Sequence, residues 1–175
     1  MITGSKVRLC QKRLADAPND YTWKTDPELT QLDASSPLTT TFTEYLLDYA
    51  IKLRRARPIK HEFAIETLDG EYIGNCAYYD INDTKGEAEI GIMIGNRNYW
   101  DKGYGTDAIS SLVSYVFSQT DFRRIHLKTL DSNNRAQQCF YKCGFTEYGR
   151  MDNNGYSFVL MELYRNQWQQ NKGKT

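Results

Sequence analysis

The stretch Glu87-Ala-Glu-Ile-Gly-Ile-Met-Ile-Gly-Asn-Arg-Asn-Tyr-Trp-Asp-Lys-Gly-Tyr-Gly-Thr-Asp-Ala108 gathers the residue types that bind an anion. It reads as a strand that runs into a loop with alternate glycines, and the loop opens directly into a helix. The first turn of a helix leaves backbone N–H groups without partners and carries partial positive charge. Glycines just before it therefore let an anion reach bare backbone. Lys102 adds a formal charge, so the expected ligand group is a phosphate or pyrophosphate. Asp107, in the first helical turn, would oppose an anion unless its side chain turns outward.

Gly103-Tyr-Gly105-Thr-Asp-Ala108 also satisfies the dinucleotide pattern G-x-G-x-x-A. A Rossmann loop begins at the end of its strand, whereas Asn96 to Lys102 separate Gly95 from Gly103. The motif also follows antiparallel strands, with too little chain beyond it to complete a nucleotide-binding sheet. A dinucleotide oxidoreductase is therefore a poor fit, and a simple helix-entry turn is the plainer alternative.

A second block lies downstream: Asn133-Asn-Arg-Ala136-Gln-Gln-Cys-Phe140-Tyr-Lys-Cys-Gly144-Phe145. Together the two segments resemble the GNAT family of N-acetyltransferases. The first is similar to the family's acyl-CoA motif Q/R-x-x-G-x-G/A, here Trp100-Asp-Lys-Gly103-Tyr-Gly105. Trp100 replaces the usual Gln or Arg, as in the branch that looks like ribosomal-protein alanine acetyltransferases and spermidine acetyltransferases. The second is similar to the family's N-x-x-A-x-x-x-Y-x-K-x-G-F.

The resemblance implies acetyl-CoA as cosubstrate and direct attack of a primary amine on its thioester. The acceptor would be a protein N-terminus, a polyamine or another small molecule. Backbone groups of Ile92, Met93 and Ile94 would pair with the pantetheine arm. The pyrophosphate would lie on backbone amides from Lys102 through Gly103, Tyr104 and Gly105 to Thr106, with Trp100 and Asp101 also among the cofactor-binding residues. Asn133 would contact the cofactor near its thioester end, and its alternative role is an N-cap on the following helix. Glu89 matches the family's acidic base. Strand alternation puts it on one face with Glu87, Gly91 and Met93, where two carboxylates would repel and raise one pKa; a solvated strand face is the alternative. The family's usual acid is a Tyr at the position of Phe140. Tyr141 is one residue later, about 100° around a helix, and is the candidate substitute acid only if the helix is locally rewound; water or no acid at all is the alternative. Phe140 motivates a rival reading, an acyl-CoA-binding module without transfer.

These groups need a scaffold. Val7 and Leu9 alternate in a first strand, Lys6–Leu14. Apolar residues from Phe42 to Leu53 recur at three- and four-residue steps, predicting a helix over Thr41–Arg57 closed by Pro58. His61–Leu68, Glu71–Ile81 and Glu87–Ile94 form an antiparallel meander, its first turn at Asp69-Gly70. A helix over Gly105–Phe117, a strand over Arg123–Leu130, a helix over Asn133–Cys143 and strands near Thr146–Met151 and Tyr156–Tyr164 follow. The expected class is α+β, a mixed, mostly antiparallel sheet flanked by helices. The reading is one acetyltransferase domain over residues 1–175, with its core over residues 6–164 and a loose tail after Trp168.

Composition sets outer bounds. The 175 residues carry 22 Lys+Arg against 22 Asp+Glu, which argues against a nucleic-acid partner. No apolar run is long enough for a membrane span and no secretory signal opens the chain, so a cytoplasmic setting is expected, compatible with a homodimer. Asp16, Asp20, Asp26, Glu28 and Asp33 meet only Lys24 between residues 15 and 33. With Tyr21 and Trp23 they could attract and stack on a cationic amine; solvated surface is the alternative. Cys10, Cys76, Cys139 and Cys143 form no C-x-x-C pair and lie far from His61 and His126, so no metal site is expected. Cys139 and Cys143 share a helical face and read as two small hydrophobes in the core. His126 reads as a surface residue.

Overall fold

Tight turns between successive strands favour antiparallel neighbours, and at Asp69-Gly70 the chain reverses with Gly70 at φ +90°. Thr67 N–H donates to the Glu71 carbonyl at 2.8 Å across this turn. The computed structural model describes residues 1–55 and 60–172. Its strands are β1 (Ile2–Thr3), β2 (Val7–Gln11), β3 (His61–Thr67), β4 (Tyr72–Asn82), β5 (Glu87–Ile94), β6 (Arg124–Leu130), β7 (Thr146–Asn153) and β8 (Tyr156–Tyr164). Its helices are α1 (Ala17–Thr25), α2 (Pro27–Leu32), α3 (Phe42–Leu53), α4 (Tyr104–Gln119), α5 (Asn134–Lys142) and α6 (Arg165–Lys172). One sheet runs β1-β2-β3-β4-β5-β6-β8-β7, and every pairing in it is antiparallel except β5 with β6. The expected α+β class, with a mixed and mostly antiparallel sheet, is the one observed.

Local signals explain several boundaries. Thr41 and Glu44 form a reciprocal capping box at the start of α3: Glu44 N–H donates to Thr41 Oγ1 at 3.3 Å and Thr41 N–H to Glu44 Oε2 at 2.8 Å. This satisfies two N–H groups that the helix leaves open. The helix ends at Leu53 with Arg54 as its cap, earlier than its apolar spacing suggests; the expected stop at Pro58 lies outside the described residues. The tail differs too, since α6 carries the backbone past Trp168 to Lys172.

The stripe Ala108, Ile109, Leu112, Val113, Val116 and Phe117 of α4 packs into the main core with Val7, Leu9, Ile65, Ile73, Ile90, Ile125 and Met161. Phe140 and Phe145 join this core, their rings edge to face at 6.0 Å. Cys76 belongs to it as well, so strand alternation turns Asn75 to the other face. There α1 is tied down by charge. Lys12 Nζ lies 2.7 Å from Asp20 Oδ2, their side chains 5% and 4% exposed. Asn75 Nδ2 donates to Asp20 Oδ1 at 2.9 Å, and the Tyr72 hydroxyl donates to the same carboxylate. A smaller cluster of Ala17, Tyr45 and Tyr49 joins α1 to α3.

This pair sets the attachment of the α1–α3 layer to the sheet. Asp20→Ala leaves the Lys12 ammonium buried and uncompensated, and the expected loss is about 3–5 kcal/mol of unfolding free energy. Urea denaturation of the variant against the parent measures it; a midpoint shift equivalent to a surface substitution would contradict the reading.

Candidate active site

β5 pairs with β4 from Glu87 to Ile94, but with β6 only over Glu87–Arg124, Ala88–Ile125 and Glu89–His126. Beyond Glu89 the two parallel strands part, and the N-terminal ends of α4 and α5 border the gap. The cavity there measures about 480 Å³ and is walled by Ile92, Met93 and Ile94 on the strand side. Trp100, Asp101, Gly103, Gly105, Thr106, Asn133 and Phe140 complete most of its other walls.

The turn that the sequence nominates for an anion takes the shape its glycines allow. Gly103 sits at φ +83° as the N-cap of α4, a left-handed conformation that side chains resist. Asp107 N–H donates to Gly103 O at 3.0 Å, closing the first turn. The N–H groups of Tyr104, Gly105 and Thr106 therefore have no acceptor within the helix. Asp107 does not oppose an anion, because its carboxylate turns to the β1–β2 turn. It accepts from the N–H groups of Ser5, Lys6 and Val7 at 3.0, 2.8 and 3.0 Å and from Ser5 Oγ at 2.8 Å. Burial pushes its pKa up, but these donors outweigh that and hold it below the ordinary value.

The Trp100 indole N–H donates to Ile94 O at 2.7 Å, tethering the loop to the end of β5. The Arg135 guanidinium of α5 stacks on the same ring, 3.5 Å from its centroid. Both elements that border the gap are thereby fastened to β5, α4 through its preceding loop and α5 through Trp100.

Where the β5–β6 ladder stops, Glu89 is 8% exposed and is not among the residues that wall the cavity. Tyr79 Oη donates to its Oε1 at 3.1 Å and Lys128 Nζ lies 3.5 Å from the same oxygen. Burial and the Glu89 charge raise the pKa of Tyr79, which keeps the phenol protonated as a donor. A Cβ on Gly91 would come 3.3 Å from Tyr79 Oη, so the hydroxyl lies over the gap between Glu89 and Met93. His126 is half-buried rather than on the surface, and burial lowers its pKa.

A family model described as an acetyltransferase (GNAT) domain matches residues 6–146. The chain belongs to the GNAT acetyltransferase family. It is an acetyl-CoA-dependent N-acetyltransferase, with acetyl-CoA as cosubstrate. It is similar to the uncharacterized N-acetyltransferase p20 of Bacillus licheniformis, 27% identical over 145 residues that cover 82% of this chain and 81% of that protein. The spermine/spermidine N(1)-acetyltransferase of Bacillus subtilis is 24% identical over 100 residues, 54% of this chain and 66% of that one. In fold it resembles the spermidine N-acetyltransferase from Vibrio cholerae solved with CoA and spermine: TM-score 0.82, 19% identity, covering 94% of this chain and 99% of that chain. It also resembles the aminoglycoside acetyltransferase AAC(6')-Ib solved with coenzyme A: TM-score 0.78, 21% identity, covering 95% and 99%.

Of the residues the sequence nominates for the cofactor, Ile92, Met93, Ile94, Trp100, Asp101, Gly103, Gly105, Thr106 and Asn133 line the acetyltransferase's cavity. The side chains of Lys102 and Tyr104 are engaged elsewhere. Lys102 Nζ donates to Asn98 O at 2.8 Å, and Tyr104 packs edge-on against Tyr99 at 4.8 Å. Asn133 is also the N-cap of α5, accepting from Ala136 N–H at 3.2 Å. Tyr141 is 41% exposed and outside the cavity wall, while buried Phe140 lines it. One helical step separates them, so Tyr141 does not take the inward position of the family's tyrosine. The expected Glu87–Glu89 repulsion is absent for a simple reason: Arg124 donates to Glu87 at 2.7 Å and lowers its pKa.

The acidic N-terminal segment is mostly neutralised. Asp16 pairs with Arg13, Asp20 with Lys12, and Asp26 and Glu28 with Arg97. Trp23 and Tyr21 are packed, Trp23 against Tyr72 and Tyr21 against Phe42 and Tyr45, so neither is free to stack on an amine. Asp33 differs: it is exposed, lines the cavity with Leu29 and Leu32, and has no side-chain partner among the described residues. The protein around it pushes its pKa up, with Lys60 and Lys24 pulling the other way. Sequence reading passed over Tyr79, Lys128, Arg135 and Lys6, whose Cε lies 3.7 Å from where a Cβ on Gly103 would stand. Each is distant in sequence from the motif it serves, and no local signal marks it.

Gly103→Val meets the Lys6 side chain at ordinary contact distance but an unfavourable backbone, and the expected cost is about 1–2 kcal/mol, read by calorimetry as a roughly tenfold weaker CoA affinity. The native Asp107 carboxyl ionises at lower pH than in the unfolded chain. Its contribution is therefore whole above about pH 4 and vanishes as pH falls below that. Asp107→Asn should lose about 1–2 kcal/mol at neutral pH and show a flatter acid limb in unfolding experiments across pH.

Proposed function

We propose that the acetyl acceptor is a small polycationic amine and that Glu89 receives the proton the amine must lose. Acetyl-CoA supplies the thioester that the amine attacks. The N–H groups of Tyr104, Gly105 and Thr106 bind the pyrophosphate, with Lys6 beside them. The open edge of β5 at Ile92, Met93 and Ile94 takes the pantetheine arm, and Asn133 lies at the thioester end. An amine is protonated at neutral pH, so attack requires a base reached directly or through water. Glu89 fills this role, with the Tyr79 hydroxyl as the polar group between it and Met93 on the cavity wall. Phe140 leaves the departing CoA thiolate to water, which a thiolate tolerates as a fair leaving group.

The observation that carries the acceptor class is Asp33: among the acids of its segment, it alone lines the cavity without a cationic side chain bound to it. A second ammonium on the substrate matches that carboxylate while the first approaches Glu89. The names of relatives that act on spermine and spermidine support the same class. A single domain over the whole chain and a cytoplasmic setting suit this reading. The resolved cysteines are free thiols, and no helix among the described residues is long and apolar enough to cross a membrane.

Thiol release with a panel of polyamines, aminoglycosides and peptide N-termini tests the acceptor. Polyamines should give the highest kcat/KM, and preferential turnover of peptides would overturn the proposal. Asp33→Asn should raise KM for a polyamine about tenfold with little change in kcat. Glu89→Gln should lower kcat on the order of 100-fold while leaving CoA affinity intact.

A further inference from the structure

Cys143 packs against the main core, as its helical face suggests, but Cys139 does not. Both are half-buried on the face of α5 that meets the first turns of α4, and Cys139 lines the cavity. Their hydrogen-bonding environments are unequal. Cys143 S–H donates to Thr106 O at 3.5 Å, and Ser110 Oγ donates to the Cys143 sulfur at 3.5 Å. Cys143 therefore has an acceptor for its proton. Cys139 has donors instead: Thr106 Oγ1 donates to its sulfur at 3.6 Å. It also lies beside the N-terminal turn of α4, since a Cβ on Gly105 would stand 3.6 Å from its Sγ. That turn offers the unpaired N–H groups and partial positive charge already described.

We propose that Cys139 is a modification site in the cofactor cleft: small disulfides thiolate it, and thiolation and CoA binding exclude each other. This rests on the reading of the cavity as the CoA site. The reaction is thiol–disulfide exchange. The Cys139 thiolate attacks one sulfur of RS–SR, the RS–SR bond breaks as the protein–S–SR bond forms, and one thiolate leaves and takes up the proton that Cys139 gave to solvent. The disulfide is the oxidant and no other is required.

Exclusion has two causes. The added group occupies space at Gly105 and Thr106 that the pyrophosphate needs. The thiolate and the pyrophosphate also compete for the same helix end, so bound CoA disfavours the reactive form as well as covering it. The groups facing Cys139 agree with this assignment. Its neighbours Cys143, the Thr106 hydroxyl and Lys142 hold the pKa of Cys139 below the ordinary thiol value, against burial. Bonding to Cys139 and burial raise that of Cys143. The two cysteines outside this face differ. Cys76 is fully buried, and Cys10 is raised by burial and by neighbouring Glu66. The thiolate, not the thiol, is the nucleophile.

Dithiodipyridine is the probe, applied to the full chain with peptide mapping by mass spectrometry. Expected are first labelling at Cys139, a rate that reaches its plateau at lower pH than an ordinary thiol's, and CoA at ten times its Kd slowing the reaction about tenfold. The labelled protein should lose CoA binding in calorimetry and regain it after reduction. In Cys139→Ser, CoA affinity should no longer change on treatment with the reagent, whereas Cys143→Ser should still lose binding when labelled. First labelling at Cys10, Cys76 or Cys143, or a labelled Cys139 that binds CoA as before, overturns the proposal. If CoA binds tightly to the unmodified chain yet gives Cys139 no protection, the assignment of the cavity to CoA fails instead. The protection and mapping experiments use the unsubstituted protein, so they stand even if a variant does not fold.

Discussion

The parallel ladder between β5 and β6 stops after Glu89, and the active site follows from that stop. A parallel pair that continued to Ile94 would bury the edge groups of Ile92, Met93 and Ile94 and leave no cleft. Because the strands part, backbone polar groups at the sheet's centre remain open to water or ligand, which a fold tolerates only where something else can satisfy them. The other ladders are long and antiparallel, so the sheet holds together around this opening. Trp100 and Arg135 keep the opening from spreading, one bonded to Ile94 O and the other stacked on the indole.

Charge is distributed with the same economy. The chain balances 22 basic against 22 acidic residues, and much of that balance is realised as pairs. Lys12 and Asp20 bind α1 to the sheet, Arg97 holds Asp26 and Glu28 near the cofactor loop, and Arg124 bridges Glu87 and Glu162. Of the carboxylates at the opening, Glu89 is touched by Tyr79 and Lys128, while Asp33 and Asp101 line the cavity. A neutral total is thus compatible with a locally acidic acceptor end and an anion-binding cofactor end. The second needs backbone dipoles more than formal charge.

Sequence legibility followed locality. The β5–loop–α4 segment and the Asn133–Phe145 block were readable because their function depends on neighbours in the chain: a strand edge, glycines and a helix start. The meander, its Asp69-Gly70 turn and the apolar stripe of α4 were readable for the same reason. The side chains around Glu89 were not, because Tyr79 and Lys128 come from strands on either side and meet it only through register. The acidic segment misled in the same way, since the cations that claim Asp20 and Asp26 are Lys12 and Arg97, outside it. Cys139 was misjudged because helical spacing tells which residues share a face but not that the face borders a cavity.

Asp107 gathers the N–H groups of Ser5, Lys6 and Val7 at the first turn of α4. The amino terminus is therefore part of the support of the cofactor loop and not a free handle. A substitution at Ser5, Lys6 or Val7 that disturbs these bonds would be felt at the first turn of α4, about a hundred residues later in the chain.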